Sequence, residues 1–431
     1  MNILLIGSGG REHALAWKLR QSPSCHRLYI APGNAGMASL GELLPIAVDQ
    51  FEQLAAACRT HQIDLVVVGP EVPLVLGLRD FLEAQADLRH LLIVGPGKTG
   101  AQLEGSKDFS KNFMLRHGIP TAKAQTFATT QLAGGLEYLK TCSVPIVLKA
   151  DGLAAGKGVV ICASQEEAAR VLTEMLAHRK FGAASAKVLV EEFLNGIEVS
   201  VFVLTDGVHY CLLPEAKDYK RVGDGDTGLN TGGMGAVSPV VFADTAFREK
   251  VARRIISPTL RGLANDGIPY RGFLFIGLMN VGGEPYVIEY NVRMGDPETQ
   301  AVLPRIKNDW VEVMAACGAG TLDKVQLETT TDYAVTVCLV SGGYPETFEK
   351  GLPIHGLGHD PLIFHAGTRN RGQETVTDGG RVLAVTGLGP TLTDARQRAY
   401  EKAARITWNN LYYRKDIGVD LQAMEMENGK S

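Results

Sequence analysis

The chain has 431 residues, enough for about three domains of ordinary size. Its 43 Lys and Arg against 47 Asp and Glu give a net charge of −4, which argues against a general nucleic-acid or anionic-membrane binder. Seven scattered cysteines form no C-x-x-C pair, and the N-terminus shows no signal-peptide pattern. These features predict a soluble cytoplasmic protein, and 49 glycines clustered beside apolar runs favour an α/β enzyme with phosphate-binding loops.

The first hundred residues alternate short apolar runs with helical patterns, which predicts a doubly wound parallel sheet. Strands of such a sheet bind ligands at their carboxyl edge. Four loops are expected to meet there, at residues 7–10, 31–36, 69–71 and 95–97.

The string GSGGREH follows the first of these strands and opens a helix, a position that favours an anion. It resembles a dinucleotide fingerprint, but Glu12 replaces the third glycine and no acidic residue follows the second strand. The string therefore argues against NAD, and a tight turn without a ligand stays an alternative.

A new domain is expected near residue 106, where Ser106 is a plausible N-cap for a helix over Lys107–His117. Strands and helices then follow in mixed order, which predicts an α+β domain. From about Thr330 the pattern becomes β-rich and closes on a helix from Asp394 to about Trp408.

The string KADGLAAGKGVV places Lys149 and Lys157 around glycines, which suits a loop over phosphate oxygens. It is not a Walker A loop, because three residues separate Gly152 from Gly156 and Gly158 stands where Ser or Thr would bind magnesium. A hairpin folded over a triphosphate fits better, and a solvated hairpin tip is the alternative.

Two further strings carry acidic residues in strand-like surroundings. In VLVEEFLNGIEVSV, backbone groups of the link could pair with an adenine edge and a glutamate could accept ribose hydroxyls, although exposed strand-end glutamates are the commoner case. In YVIEYNVRMGDPE, strand alternation predicts Glu289, Asn291 and Arg293 on one face, with Ile288 and Tyr290 on the other. Such a face suits magnesium and phosphate, or alternatively a salt-bridged solvent surface.

The segment from Glu215 to Gly235 is polar and glycine-rich, and too long for an ordinary connection. It carries Lys217, Asp218 and Lys220, so a loop that closes over charged substrates is expected, with disorder as the competing interpretation.

Seven strings in order over residues 32 to 298 resemble the phosphoribosylamine–glycine ligase family of the ATP-grasp superfamily: PGNAG, GPE, AQLEGSK, KADGLAAGKGV, EEFLNGIEVSV, VGDGDTGLNTGGMGA and NVR-GDPE. The resemblance extends over the whole chain. It implies an ATP-grasp fold with an N-terminal doubly wound substrate-binding domain (1–104), an ATP-grasp domain (105–328, lid about 121–192) and a small β-rich C-terminal domain (329–431). It also implies ATP-dependent ligation of glycine to 5-phosphoribosylamine through glycyl phosphate, in de novo purine biosynthesis.

The resemblance also implies roles for individual residues at the nucleotide. Lys107 and Lys149 would reach the ATP phosphates, backbone groups of Glu192 and Leu194 would meet adenine, and Glu198 would hold the ribose. Glu289 and Asn291 would bind Mg²⁺ or Mn²⁺. The full nucleotide set is Lys107, Lys149, Gly152, Gly156, Lys157, Gly158, Glu191, Glu192, Leu194 and Glu198.

For the substrates, the glycine carboxylate is expected near Arg293, with Asp218 and Asp296 as candidates for the ammonium group of glycine. The ribose phosphate is expected against the N-terminal loops, with a substrate set of Gly9, Gly10, Gly33, Asn34, Gly69, Pro70, Glu71 and Lys220. The partners are these small molecules, without nucleic acid or membrane, and the expected state is a monomer.

The chain departs from the family pattern at four positions. Gly277 stands where many ATP-grasp enzymes have a carboxylate, and Tyr219, Tyr290 and Met294 replace the usual His, Asn and Phe. The last three are expected to alter the shape of the substrate side. Another ATP-grasp ligase or carboxylase, and a catalytically silent nucleotide sensor, are the rival interpretations.

Overall fold

The computed structural model describes residues 1–152, 158–180 and 182–428. It confirms the predicted fold class, with a parallel sheet at the N-terminus and antiparallel sheets in the later parts. Among the residues described, every helix is too short or too polar to span a bilayer.

The N-terminal part is a parallel sheet in the order β3-β2-β1-β4-β5, wound with helices as predicted. Its strands bury apolar residues on both faces, as helices on either side of a sheet require. The two helices after β4 are separate, because Gly77 adopts a left-handed conformation (φ +93°) between them. The elements are β1 (Asn2–Gly7), α1 (Gly10–Arg20), β2 (Arg27–Pro32), β3 (Glu42–Leu43), α2 (Phe51–Thr60), β4 (Leu65–Val68), α3 (Glu71–Leu76), α4 (Leu78–Ala84) and β5 (Leu92–Val94).

The next part forms a sheet in the order β6-β9-β7-β8, with its own hydrophobic cluster around Phe127, Leu172 and Val190. Lys149 pairs with Val159 across an antiparallel hairpin, as the sequence predicts. The predicted hairpin tip at residues 153–157, including Gly156 and Lys157, lies outside the described residues. The elements are α5 (Gln102–Gly105), α6 (Lys107–Arg116), β6 (Ala124–Ala128), α7 (Leu132–Leu139), β7 (Ile146–Ala150), β8 (Val159–Cys162), α8 (Gln165–Leu176) and β9 (Lys187–Glu192).

The chain then crosses to a second antiparallel sheet, ordered β11-β10-β16-β17. The segment predicted as one long loop contains short strands, because its backbone pairs with residues on either side of it. The elements are β10 (Ile197–Thr205), β11 (Tyr210–Leu212), β12 (Lys217–Asp218), β13 (Arg221–Gly223), β14 (Thr227–Asn230), β15 (Gly235–Ser238), α9 (Thr245–Val251), α10 (Ser257–Asn265), β16 (Gly272–Val281), β17 (Glu284–Asn291), α11 (Glu298–Val302) and α12 (Trp310–Ala319).

The C-terminal part completes a sheet in the order β12-β15-β18-β22-β19, so this sheet takes in strands that precede residue 329. Ala395, Ala399 and Ala403 bury one face of α13 against it. The elements are β18 (Tyr333–Ser341), β19 (Ile363–His365), β20 (Thr368–Arg371), β21 (Glu374–Thr377), β22 (Arg381–Gly389), α13 (Leu392–Ala403), β23 (Leu411–Tyr412) and α14 (Val419–Asn428).

Candidate active site

A small cavity lies where β10, β16 and β17 meet. Its lining includes Glu198, Lys220, Gly277, Ile288 and Glu289. The prediction that Ile288 faces away from Glu289 is wrong. Gly277 pairs with Glu289 and its neighbour Leu278 pairs with Val287, so Ile288 is the extra residue of a β-bulge and lines the same cavity.

Gly277 lies directly across the strand pair from Glu289. A Cβ atom at Gly277 would lie 3.2 Å from Cγ of Glu289, so the missing side chain leaves room for the glutamate. The carboxylate that the superfamily pattern places at this position is absent, and Glu289 supplies the carboxylate of this strand pair.

Acidic and basic side chains lie close together around the cavity. Burial favours the neutral amine of Lys220, but Asp218, Glu198 and Glu289 outweigh it and raise its pKa. Lys220 forms an ion pair with Glu198. Burial and the charge of Asp218 raise the pKa of Glu298 to about 7.

Two side chains at the end of β17 offer oxygen atoms that suit a divalent cation. Glu289 offers a carboxylate and Asn291 an amide oxygen, the hard donors that Mg²⁺ accepts while it keeps water and phosphate ligands. Among the described residues, no three His, Cys, Asp or Glu side chains are grouped to hold a metal ion by themselves. The donor set therefore fits a metal ion shared with a phosphate ligand.

Lys149 reaches this cavity from the neighbouring sheet. Its Nζ lies 2.7 Å from Oε2 of Glu191 and donates to the carbonyl of Ile288 at 3.2 Å. The other oxygen of Glu191 lies 3.1 Å from Nζ of Lys111, so one buried carboxylate bridges two lysines. Glu191 thereby holds Lys149 beside the residue that precedes Glu289.

Lys107 approaches the same region from the first turn of α6. Its Nζ donates to the carbonyl of Gly152 at 3.0 Å, at the base of the glycine hairpin. The carbonyl of Gly158 accepts from Ala150 at 2.8 Å on the opposite arm. Burial lowers the pKa of Lys107, an effect that Glu289 partly offsets.

The predicted adenine segment connects the two antiparallel sheets. Strands β9 and β10 belong to different sheets, so the link between them, with Glu192 and Leu194, lies at the junction. The amide of Glu192 donates to the carbonyl of Lys123 at 3.0 Å, and its Oε1 accepts from the Lys123 amide at 2.9 Å.

Arg293 follows directly after β17 and points toward the N-terminal part. Its Nη2 donates to Glu104 at 2.6 Å and to the amide oxygen of Asn291 at 3.1 Å, and its Nε lies 3.4 Å from Glu71. Burial opposes the charged form, but Glu104 and Glu71 outweigh it and raise the pKa of Arg293. The structure thus brings Arg293 together with Glu71 and Asn291.

The glycines of the N-terminal loops enclose Glu12. Oε2 of Glu12 accepts from the Gly9 amide at 2.7 Å, and a Cβ atom at Gly69 would lie 2.3 Å from Oε1. The residue that replaces the third fingerprint glycine therefore caps its own helix and fills the space between the loops.

Asn34 and Gly33 are placed beside the first loop. The Asn34 side chain donates to the carbonyls of Ser8 and His365, at 2.8 Å each, and accepts from the Gly36 amide at 3.0 Å. The Gly33 amide donates to the Gly7 carbonyl at 3.1 Å. Asn34 thus ties the N-terminal loops to the C-terminal part.

Tyr219, Tyr290 and Met294, which depart from the family pattern, are buried in the structure. Tyr290 is 2% exposed and its hydroxyl pairs with Thr259 at 2.6 Å, while Met294 lies in the hydrophobic core. The Tyr219 hydroxyl donates to Asp420 of the C-terminal helix at 2.5 Å. All three side chains contribute packing, and the hydroxyls of the two tyrosines have hydrogen-bond partners.

Sequence reasoning missed several residues that complete the site. Glu104 and Glu298 stand in two of the strings that carry the family resemblance, so their charge could have indicated a place in the site. Arg11 stands in the GSGGREH string, where only the glycines indicated a role, and Arg381 occurs in no metal or phosphate motif. They reach the site only because the N- and C-terminal parts close around it.

Comparison with known proteins adds independent findings. Models of the phosphoribosylglycinamide synthetase family match the chain as its N domain over residues 1–104, its ATP-grasp (A) domain over 105–299 and its C domain over 334–420. The chain is 46% identical to a phosphoribosylamine–glycine ligase of Vibrio vulnificus, covering 99% of this chain and 100% of that one. It is 48% identical to the Yersinia pestis enzyme, covering 97% and 98%.

Comparison with solved structures points to the same family. The phosphoribosylamine–glycine ligase of Thermotoga maritima has a TM-score of 0.85 at 36% identity, over 97% of this chain and 100% of that one. A biotin carboxylase domain from Hydrogenobacter thermophilus has a TM-score of 0.69 at 16% identity, over 95% and 91%, which shows a shared fold alone.

Proposed function

The chain belongs to the phosphoribosylglycinamide synthetase family, and from this premise we propose that the crevice around Glu289 is where its reaction takes place. The protein is an ATP-dependent ligase of purine biosynthesis that joins glycine to 5-phosphoribosylamine. The contact between Lys149 and the Ile288 carbonyl supports this location, because it sets a phosphate-binding lysine beside the carboxylate of Glu289.

The reaction has two steps. The glycine carboxylate attacks the γ-phosphorus of ATP, which gives glycyl phosphate and releases ADP. The amine of phosphoribosylamine then attacks the acyl carbon and loses a proton, while the carbon–oxygen bond breaks and phosphate leaves with the electron pair. The protein's contribution is positioning and charge neutralisation.

We assign the phosphates to Lys107 and Lys149, together with the glycine hairpin that follows. Glu191 keeps Lys149 in place. Glu192 and Leu194 serve adenine, and the ribose lies toward Glu198. Glu289 and Asn291 would hold Mg²⁺ or Mn²⁺, and the ion when bound would neutralise charge on the phosphate oxygens.

The two carboxylates proposed for ammonium groups lie in different surroundings. Asp218 is grouped electrostatically with Lys220, Glu198 and Glu289, so we assign it to glycine together with Arg293. Asp296 lies against the Gly9 loop, on the side that we assign to phosphoribosylamine.

A matched pair of variants on β17 tests the site. Glu289→Gln is expected to lower glycine-dependent ADP release at least about 100-fold, since it removes the carboxylate that we assign to the metal ion, and that ion would neutralise charge on the transferring phosphate. Glu284→Gln removes a carboxylate of the same strand that pairs with Lys250 on the surface, so near-normal turnover is expected. Normal turnover in Glu289→Gln would refute the assignment.

We also propose that the protein is a monomer, and light scattering of the wild type would test this.

A further inference from the structure

Arg381, the first residue of β22, reaches from the C-terminal sheet into the central part of the molecule. Its Nη1 donates to the carbonyls of Gly232 and Asp296, at 2.6 Å each. Its Nη2 lies 3.4 Å from Oδ2 of Asp296. One guanidinium therefore fixes both the Asp296 backbone and its carboxylate, and joins them to the glycine-rich segment after β14.

Asp296 in turn faces the first N-terminal loop. A Cβ atom at Gly9 would lie 3.3 Å from Oδ2 of Asp296. The other carboxylate oxygen accepts from Nε2 of Gln300 at 2.8 Å, and that nitrogen would lie 2.6 Å from a Cβ atom at Gly10. Asp296 and Gln300 thus form a polar wall packed directly against the glycine loop.

The chemistry of this wall suits hydrogen-bond donors better than phosphate. Burial raises the pKa of the Asp296 carboxyl, but Arg381 and Arg11 outweigh it, so the pKa lies below its ordinary value and the group is ionised at neutral pH. The Gly9 amide, which could otherwise bind an anion, donates to Glu12. An amine or a sugar hydroxyl is the complementary group.

We propose that Arg381 is a positioning residue for phosphoribosylamine, because it orients Asp296 toward the amine or hydroxyl groups of that substrate. This inference rests on the proposed function, which assigns the Gly9–Gly10 loop to phosphoribosylamine. Arg381 itself touches Asp296 and the backbone of Gly232, and it acts through them.

The geometry requires a planar, forked cation. Nη1 serves two carbonyls while Nη2 approaches a carboxylate, and the point charge of a lysine ammonium does not reproduce this arrangement. Arg381→Lys should therefore keep the attraction to Asp296 and lose part of its orientation, whereas Arg381→Met should lose both.

The test is a set of steady-state measurements in which each substrate is varied in turn. In Arg381→Met, kcat/KM for phosphoribosylamine is expected to fall about 100-fold, mainly through KM, as for a displacement of about 1 Å in a binding group. The KM for glycine and the Kd for a non-hydrolysable ATP analogue should stay near the wild-type values. Arg381→Lys should give an intermediate loss.

Tyr344→Phe is the matched control. The Tyr344 hydroxyl accepts from the Gly232 amide at 3.1 Å, so the variant loosens the same segment without touching Asp296. Its KM for phosphoribosylamine should stay close to that of the wild type. An equal loss in Tyr344→Phe would overturn the proposal, because the segment and not Asp296 would then be responsible.

Unchanged KM for phosphoribosylamine in both Arg381 variants would also overturn it, as would equal increases in all three substrate constants. If Arg381→Met does not fold, the same three substrate constants measured for Arg381→Lys test the proposal. Failure of the proposed function is distinguishable, because wild-type enzyme would then release no glycine-dependent ADP with phosphoribosylamine present.

Discussion

At the scale of single residues, Glu191 shows how a buried carboxylate holds Lys149, the lysine that we assign to the ATP phosphates. It is 5% exposed and bridges Lys149 and Lys111. Burial raises the pKa of its carboxyl, but the two lysines outweigh burial and lower the pKa below its ordinary value. The stabilisation from this shift is fully present above the unfolded pKa of 4.5 and is lost as pH falls below it.

We therefore expect Glu191→Gln to lower the free energy of unfolding at pH 7 by about 3–5 kcal/mol, the usual result when one member of a buried ion pair is removed. Glu137→Gln is the control, because Glu137 pairs with Lys140 at the surface and should matter by less than about 1 kcal/mol. Urea unfolding followed by circular dichroism measures both. Equal stability of the two variants would contradict the bridging role.

The sequence predicted Glu191 at the nucleotide site but not its partner Lys111. Lys149 and Glu289 carried local signals, a glycine-rich string and an alternating strand. Lys111 lies in α6 as one of several polar residues on an ordinary helix, and only the packing of α6 against β9 brings it to Glu191. Residue type and spacing cannot encode such a distant pairing.

At the scale of elements, the N-cap of α6 links helix stability to the nucleotide hairpin. Ser106 Oγ accepts from the Phe109 amide at 3.1 Å, as predicted, and donates to Asp151 at 3.0 Å. Asp151 also accepts from the Asp108 amide at 3.2 Å. The start of α6 thus anchors the residue from which the hairpin continues.

Ser106→Ala should cost about 1 kcal/mol of stability for the lost cap and weaken binding of a non-hydrolysable ATP analogue about fivefold, the value of one hydrogen bond. Ser164→Ala is the matched control, since Ser164 caps α8 through the Glu167 amide at 3.1 Å. It should lose similar stability and keep its affinity. Thermal unfolding measures the stability of each variant, and titration calorimetry measures its affinity for the ATP analogue. Equal affinity of Ser106→Ala and Ser164→Ala would disprove the anchoring.

The sequence predicts the strands themselves better than it predicts which strands pair. Strands β9 and β10 were expected from their apolar runs, and both exist, but they pair in different sheets. The bulge at Ile288 depends on the register with β16, which the sequence of β17 does not specify. The short strands β12 and β15 carry no apolar alternation of their own, because their pairing comes from neighbours on the C-terminal sheet.

At the scale of the whole molecule, the N- and C-terminal parts meet at a pair of histidines, of which His13 is buried and His365 partly buried. The His365 amide donates to Nδ1 of His13 at 2.8 Å, and the two rings lie 5.5 Å apart. Burial and the neighbouring His365 lower the pKa of His13 to about 3, and burial lowers that of His365 to about 4. No sequence motif predicts this pair, since its members stand at opposite ends of the chain.

Both rings are held neutral, so acid should weaken the assembled molecule. In the unfolded chain the histidine has a pKa of 6.5 and is protonated below that pH, whereas His13 in the folded protein stays neutral. The stabilisation that is present above pH 6.5 is therefore lost as the pH falls toward the pKa of folded His13. Between pH 7 and pH 5 we expect His13 to account for a loss of about 2 kcal/mol in the free energy of unfolding.

His13→Asn retains an acceptor near the position of Nδ1 but does not titrate in this range. Its unfolding free energy, from urea titrations at pH 7 and pH 5, should therefore fall by about 2 kcal/mol less than that of the wild type. His359→Asn, at an exposed position of the C-terminal part, should fall as much as the wild type. If His13→Asn loses as much on acidification as the wild type, the junction does not depend on a neutral His13.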